Sequence, residues 1–184
     1  MKKSACFLIL PLFLFASMPI TTYSLMPLQG GEVKVERIEP FSYFSMRHKG
    51  SFTQIPDAVA SLWQEAQLQN AIPMGPLFGI YYNSPDDVAP EQLDWEIGFP
   101  TAEQTVVQLP LEKKVWNHTQ VAVLLHQGPY EKTGETIAKI MEWLSANGYT
   151  PAGPVMERYL DMNPEEIKPE QRKTEIWIPC QKTS

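Results

Sequence analysis

Cysteine is nearly missing from this chain, with two in 184 residues. Cys6 lies in an apolar N-terminal stretch; once that stretch is removed, Cys180 has no partner and an intrachain disulfide is excluded. Cations are also in deficit, 15 Lys and Arg against 21 Asp and Glu, for a formal net charge of −6. That balance argues against binding a phosphate backbone, which needs a basic face. Histidines number three, and no Cys, Asp or third His stands at ligand spacing from His48 or His126. No Gly-x-Ser-x-Gly elbow, phosphate loop or dinucleotide fingerprint is present, so a nucleophilic triad has no sequence support. No apolar run reaches the roughly 20 residues of a bilayer span. The longest, Ala5 to Ile20, is broken by Pro11, Ser17 and Pro19.

That run has its own meaning. Lys2-Lys3 precede it, and small residues at Thr22 and Ser24 suit a cleavage site. Residues 1–24 are therefore expected to be a secretory signal peptide, with an uncleaved anchor as the competitor. Cys6 opens the run rather than following it, which disfavours a lipoprotein. The mature protein, 25–184, is expected to lie in the periplasm or outside the cell, touching membrane only through an uncleaved segment. Removing residues 1–24 takes away two lysines and no acid, so the net charge becomes −8.

The rest of the chain repeats itself. Gly50 matches Gly128, and at the same offset Phe52 matches Tyr130, Leu62 matches Ile140, Pro73 matches Pro151 and Tyr81 matches Tyr159. His48 matches His126. After one inserted residue, Glu96 matches Glu175 and Pro100 matches Pro179. Two copies are too few for a solenoid, so one domain of two like halves, 33–100 and 114–179, is expected.

Periodicity gives each half the same order. Strands are expected over 33–38 and 41–48, a helix over 56–69 from Val59, Leu62, Trp63 and Ala66, then strands over 77–82 and 93–99. The second half follows with a strand over 115–126, a helix over 134–147 capped by Thr133 and stopped by Gly148, and strands over 155–160 and 173–179. The expected fold is α+β: a duplicated strand-helix-strand-strand unit with pseudo-twofold symmetry, an antiparallel sheet and a central ligand cleft.

Strand alternation nominates the site. In 174–179, Ile176 and Ile178 share one face and Glu175 and Trp177 the other. In 94–100, Trp95, Ile97 and Phe99 share one face, and Glu96 and Gly98 the other. The cleft is expected opposite the helices, floored by Glu96, Glu175, Gly98, Trp177, Tyr81 and Tyr159. A carboxylate buried without a cation is costly and favours a cationic ligand, to which Trp177 would add a cation–π contact. The competing reading pairs Glu175 with Arg158 or Arg172 at the sheet rim, leaves Glu96 as an edge carboxylate, and makes the tyrosines ordinary strand aromatics. His48 and His126 are expected to be partly exposed strand-end residues, and no metal is expected.

The doubled unit, the Gly-x-aromatic turns (Gly50-Ser51-Phe52 and Gly128-Pro129-Tyr130) and the terminal Glu175-Ile176-Trp177-Ile178-Pro179 strand resemble the GyrI-like small-molecule-binding family. The resemblance covers roughly 33–179. It implies a duplicated domain with an aromatic-lined cleft, an acidic residue from the last strand at the position of Glu175, and bulky, aromatic, often cationic ligands. The family includes effector-binding domains of AraC- and MerR-type regulators; no DNA-binding domain to match theirs is expected here. Other members are hydrolases that open strained rings, which makes Glu175 a candidate acid or base. The related haem-associated SOUL proteins put a tetrapyrrole among the alternatives, although no cofactor is expected. The expected function is thus an exported protein that binds an amphipathic, cationic aromatic small molecule through Glu175, Trp177, Glu96, Tyr81 and Tyr159. A hydrolase and an interaction protein remain the alternatives.

Overall fold

The computed structural model describes residues 31–183. The expected signal peptide, 1–24, lies outside the described residues. No helix among them is long and apolar enough to cross a membrane.

Among the described residues, nine strands and two helices follow the repeat. The first half has β1 (Lys34–Arg37), β2 (Phe41–Lys49), α1 (Ile55–Leu68), β3 (Phe78–Tyr81) and β4 (Asp94–Pro100). The second has β5 (Glu112–Trp116), β6 (Gln120–Gln127), α2 (Thr133–Ala146), β7 (Tyr149–Pro151), β8 (Val155–Tyr159) and β9 (Lys173–Lys182). The expected strand over 115–126 is two strands, interrupted at Asn117-His118-Thr119. Thr133 opens α2 rather than capping it, and its hydroxyl donates to the Tyr130 carbonyl at 2.9 Å. Gly148 takes the left-handed conformation, φ +73°, where α2 ends.

All pairings are antiparallel, in the order β1-β6-β9-β8-β3-β4-β2-β5, with β7 on β9. The halves share one order: β2-β4-β3 in the first and β6-β9-β8 in the second. They join through β3 and β8, where Gly79 opposes Glu157. These two residues are also repeat mates, so the pseudo-twofold axis passes between them.

The leading strands are exchanged. β1 precedes β2 but pairs with β6, and β5 precedes β6 but pairs with β2. Each crosses in three residues, 38–40 and 117–119, a reach of about 13 Å at most. The sheet must therefore roll until its two edges meet. The crossing segments touch where the Ile38 N–H donates to the Thr119 carbonyl at 2.9 Å. Phe41 of β2 reaches Trp177 of β9, with ring centroids 6.5 Å apart.

Rolling creates an inner and an outer face. The inner face is filled by side chains from six strands: Tyr43, Phe78, Ile80, Trp116, Val121, Val123, Met156 and Trp177. On the outer face, α1 covers Phe44, Trp95, Ile97 and Phe99 through Leu62 and Ala66. There α2 covers Leu124, Ile176 and Ile178 through Ile140 and Leu144. The expected open cleft opposite the helices is instead largely a packed core, because the exchanged strands curl the sheet onto itself.

Candidate functional site

The five nominated residues divide between the two faces. Glu96, Glu175 and Trp177 lie inside, as alternation requires. Tyr81 and Tyr159 lie outside with the helices. Tyr81 opposes Trp95 and packs on the α1 core, and Tyr159 opposes Thr174, whose side chain alternates with that of Glu175. Alternation within one strand cannot set its phase against another strand; only the register does. Tyr43 and Tyr82, which sequence reasoning passed over, are the tyrosines that reach Glu96.

Glu96 is fully buried and fully engaged. It accepts from the hydroxyls of Tyr43 (3.0 Å), Ser45 (3.1 Å) and Tyr82 (2.8 Å), and from Lys114 Nζ at 2.5 Å. Burial pushes its carboxyl up, but Lys114, Tyr82 and Tyr43 together outweigh burial and hold it below the usual range. Glu175 is half-buried and ion-paired to Arg158, and it accepts from the Trp177 indole at 2.8 Å. Arg158 also lies over the Trp177 ring, 4.3 Å from its centroid. The cation seat expected for a ligand at Glu175 and Trp177 is thus taken by the protein's own guanidinium.

One buried acid has no cation. Glu157 is 6 % exposed, on the outer face, and no ion pair among the described residues includes it. Burial pushes its carboxyl above the usual range, and the nearby hydroxyls of Thr133 and Tyr159 only partly oppose this. The Tyr159 hydroxyl donates to Glu157 at 3.1 Å and meets the Tyr81 hydroxyl at 2.6 Å. Burial raises both phenols, so they stay protonated.

The repeat builds a near-symmetric set of aromatic rings beside this acid. Phe52 stands edge-on to Tyr81 at 5.2 Å, and Tyr130 edge-on to Tyr159 at 5.3 Å. Both outer rings sit on single 3-10 turns directly after Gly50 and Gly128, whose φ values, +128° and +149°, favour glycine. The Trp95 indole anchors the first turn through the Gly50 carbonyl at 2.9 Å. All four rings are half-buried. On the axis there is room for one side chain only. A Cβ on Gly79 would lie 2.7 Å from the Tyr81 hydroxyl oxygen, so the mate of Glu157 is glycine. Glu157 was legible as an acid in phase with Tyr159 whose repeat mate is glycine.

The arrangement offers a buried carboxylate, aromatic walls and a chain of hydroxyls. Binding a cationic aromatic molecule and relaying a proton are both within its chemistry. The histidines make contacts within the protein. Both His126 ring nitrogens are engaged, with Thr136 at 2.8 Å and the Pro129 carbonyl at 3.1 Å, and His48 stacks on Trp95 at 4.7 Å. No cluster of three metal-ligating side chains occurs among the described residues.

Known structures share the fold. EcmrR in its DNA complex is 18% identical at a TM-score of 0.73, covering 83% of this chain and 58% of EcmrR. This chain thus spans little more than half of EcmrR. The isolated EcmrR C-terminal domain gives 0.72 at 18% identity, covering 83% of this chain and 98% of the domain. A hydrolase encoded by lin2189 from Listeria innocua gives 0.64 at 13%, covering 82% and 92%. SAV2435 bound to tetraphenylphosphonium gives 0.55 at 14%, covering 82% and 94%. No curated protein matches by sequence. The GyrI-like small molecule binding domain matches residues 31–181, nearly the whole described chain, and this protein therefore belongs to the GyrI-like small-molecule-binding family.

Proposed function

We propose that this protein binds a cationic, amphipathic aromatic small molecule among the rings of Phe52, Tyr81, Tyr130 and Tyr159, with Glu157 as the counter-charge. One observation carries the reading: Glu157 is buried, lacks a cation and stands among four half-buried rings, whereas Glu96 and Glu175 already hold Lys114 and Arg158. A ligand cation would relieve the desolvated carboxylate, and the rings would add area and cation–π attraction. The Tyr81 and Tyr159 hydroxyls meet between the rings, and in this reading ligand entry parts them. Glu175 and Trp177 keep a supporting role, fixing Arg158 inside the sheet.

Tetraphenylphosphonium, the compound bound to SAV2435, is a suitable probe. Losing a charge-assisted contact costs about 1.5–3 kcal/mol, or roughly 10- to 150-fold in affinity. Glu157→Gln is expected to lose that much for tetraphenylphosphonium and little for neutral triphenylphosphine oxide. Equal affinities of both proteins for the cation would refute the assignment.

Export is part of the proposal. Lys2-Lys3 and the apolar run that follows motivate it. Mass spectrometry of the protein from its native host should find an N-terminus near Leu25; Met1 intact in the cytosolic fraction would overturn it.

The hydroxyl relay favours a second reading, hydrolysis. Glu157 would draw a proton through Tyr159 from an attacking water, or return one to a leaving group. Tyr159→Phe would then abolish turnover of a strained-ring electrophile while leaving its binding nearly intact. Product formation undiminished in this variant would rule the relay out.

A further inference from the structure

The inner face is not completely filled. A cavity of about 220 Å³ opens where the 117–119 crossing meets the start of β8, lined by Tyr43, Ile80, Tyr82, Trp116, His118 and Pro154 among others. It lies on the face of the sheet opposite Glu157. Barrel mouths are recurrent ligand sites, and this volume suits a single ring rather than a drug-sized molecule.

The polar groups around it are unevenly committed. Trp116 is 3% exposed, and its Nε1–H has no hydrogen-bond partner among the described residues. A buried donor left unpaired is costly, and native proteins rarely tolerate one without a reason. The hydroxyl protons of Tyr43 and Tyr82 go to Glu96, which leaves their oxygens free to accept. Lys114 is held by Glu96 at 2.5 Å and Glu112 at 3.1 Å, so no uncommitted cation faces the cavity from β5. His118 stands across Trp116 at 4.8 Å, and burial lowers its basicity. Ile80 and Pro154 supply apolar wall.

We propose that this cavity is a second ligand site, for a neutral planar ring bearing a carboxamide. The ligand carbonyl would accept from Trp116 Nε1–H, its amide N–H groups would donate to the oxygens of Tyr43 and Tyr82, and the ring would pack on Ile80 and Pro154. A carboxylate in place of the amide would find no free cation and would lie beside Glu96.

Benzamide and benzoate are the probes. The chain has five tryptophans, so indole 1H–15N spectra of 31–184 isolate Trp116. Benzamide is expected to shift the Trp116 indole resonance saturably, with benzoate at least tenfold weaker. Trp116→Phe, which deletes the reporting indole, should weaken benzamide at least fivefold in isothermal titration calorimetry. Tyr82→Phe, which removes one acceptor oxygen, gives the same readout should the first variant fail to fold. Glu157→Gln should bind benzamide as the wild type does, which separates this site from the one proposed at Glu157. A shift that never saturates, equal shifts at all five indoles, equal binding of benzoate, or undiminished binding by the folded variants would overturn the proposal.

Discussion

Repeat mates that share a residue type do not share a role. Glu96 and Glu175 are equivalent in sequence, yet Glu96 is met by Tyr43 and Ser45, and the mates of those residues in the second half are Val121 and Val123. Deprived of hydroxyls, Glu175 relies on Arg158 from the neighbouring strand. Glu96 takes its cation from Lys114, two strands away. Lys114→Met should therefore strand a buried carboxylate and destabilise the fold by about 1–3 kcal/mol in urea unfolding, short of the full loss for a buried pair because Lys114 is partly exposed. The wild type draws stability from Glu96 above the ordinary carboxylate range and loses it as pH falls through the lowered value in the fold. In the variant that acid limb should move to higher pH. Glu157 has the opposite sign. Its value is raised in the fold, so the fold is penalised as pH rises from the ordinary carboxylate range through the raised value. Glu157→Gln should be more stable than the wild type at pH 7 by about 0.5–2 kcal/mol, with the difference vanishing in acid; no gain at pH 7 would mean that Glu157 is not strained.

Most elements were legible from spacing. Both helices follow from Leu62 and Ala66, and from Ile140 and Leu144, at helical intervals, and β4 and β9 from alternation closed by Pro100 and Pro179. What was not legible was phase between strands. Tyr81 and Tyr159 were expected to stand with Glu96 because each strand alternates, but the pairings Tyr81 with Trp95 and Tyr159 with Thr174 put them on the other face. Register depends on partners distant in sequence, which a single strand does not encode. β7 escaped notice because three residues carry too little pattern. Gly79 tests the outer-face assignment at the level of the β3–β8 pair. In Gly79→Ala the added methyl must push the Tyr81 ring aside, because its nearest neighbours are the ring's own atoms at 2.7–2.9 Å. The expected cost is about 1–3 kcal/mol, with loss of the Tyr81–Tyr159 hydrogen bond but retention of the sheet pairing. Gly98→Ala should cost more, since its methyl would meet the Phe44 backbone carbonyl, which cannot swing away. Chemical denaturation of both variants, with amide exchange to follow the β3–β8 pairing, checks the order.

For the molecule as a whole, the exchanged strands make the two halves inseparable. The fragment 31–106 lacks β5 for the edge of β2 and β8 for the edge of β3. It also leaves Phe78 and Ile80 without Met156 and Trp177 to pack against. Expressed alone it should show no cooperative melting transition, and mixing it with 107–183 should restore one. A fragment 31–106 that melted cooperatively as a monomer would contradict the interlocked arrangement.

The same exchange sets a timetable for synthesis. β1 leaves the ribosome before every other strand, yet Lys34 finds its partner only when Val123 has appeared, and β3 in turn waits for β8. At typical translation rates of about 5–20 residues per second, the nascent first half spends seconds with two bare strand edges and an uncovered apolar face. A chain built this way depends on whatever shields it during that interval, and a substitution that leaves the finished fold untouched can still lower its yield by lengthening the wait.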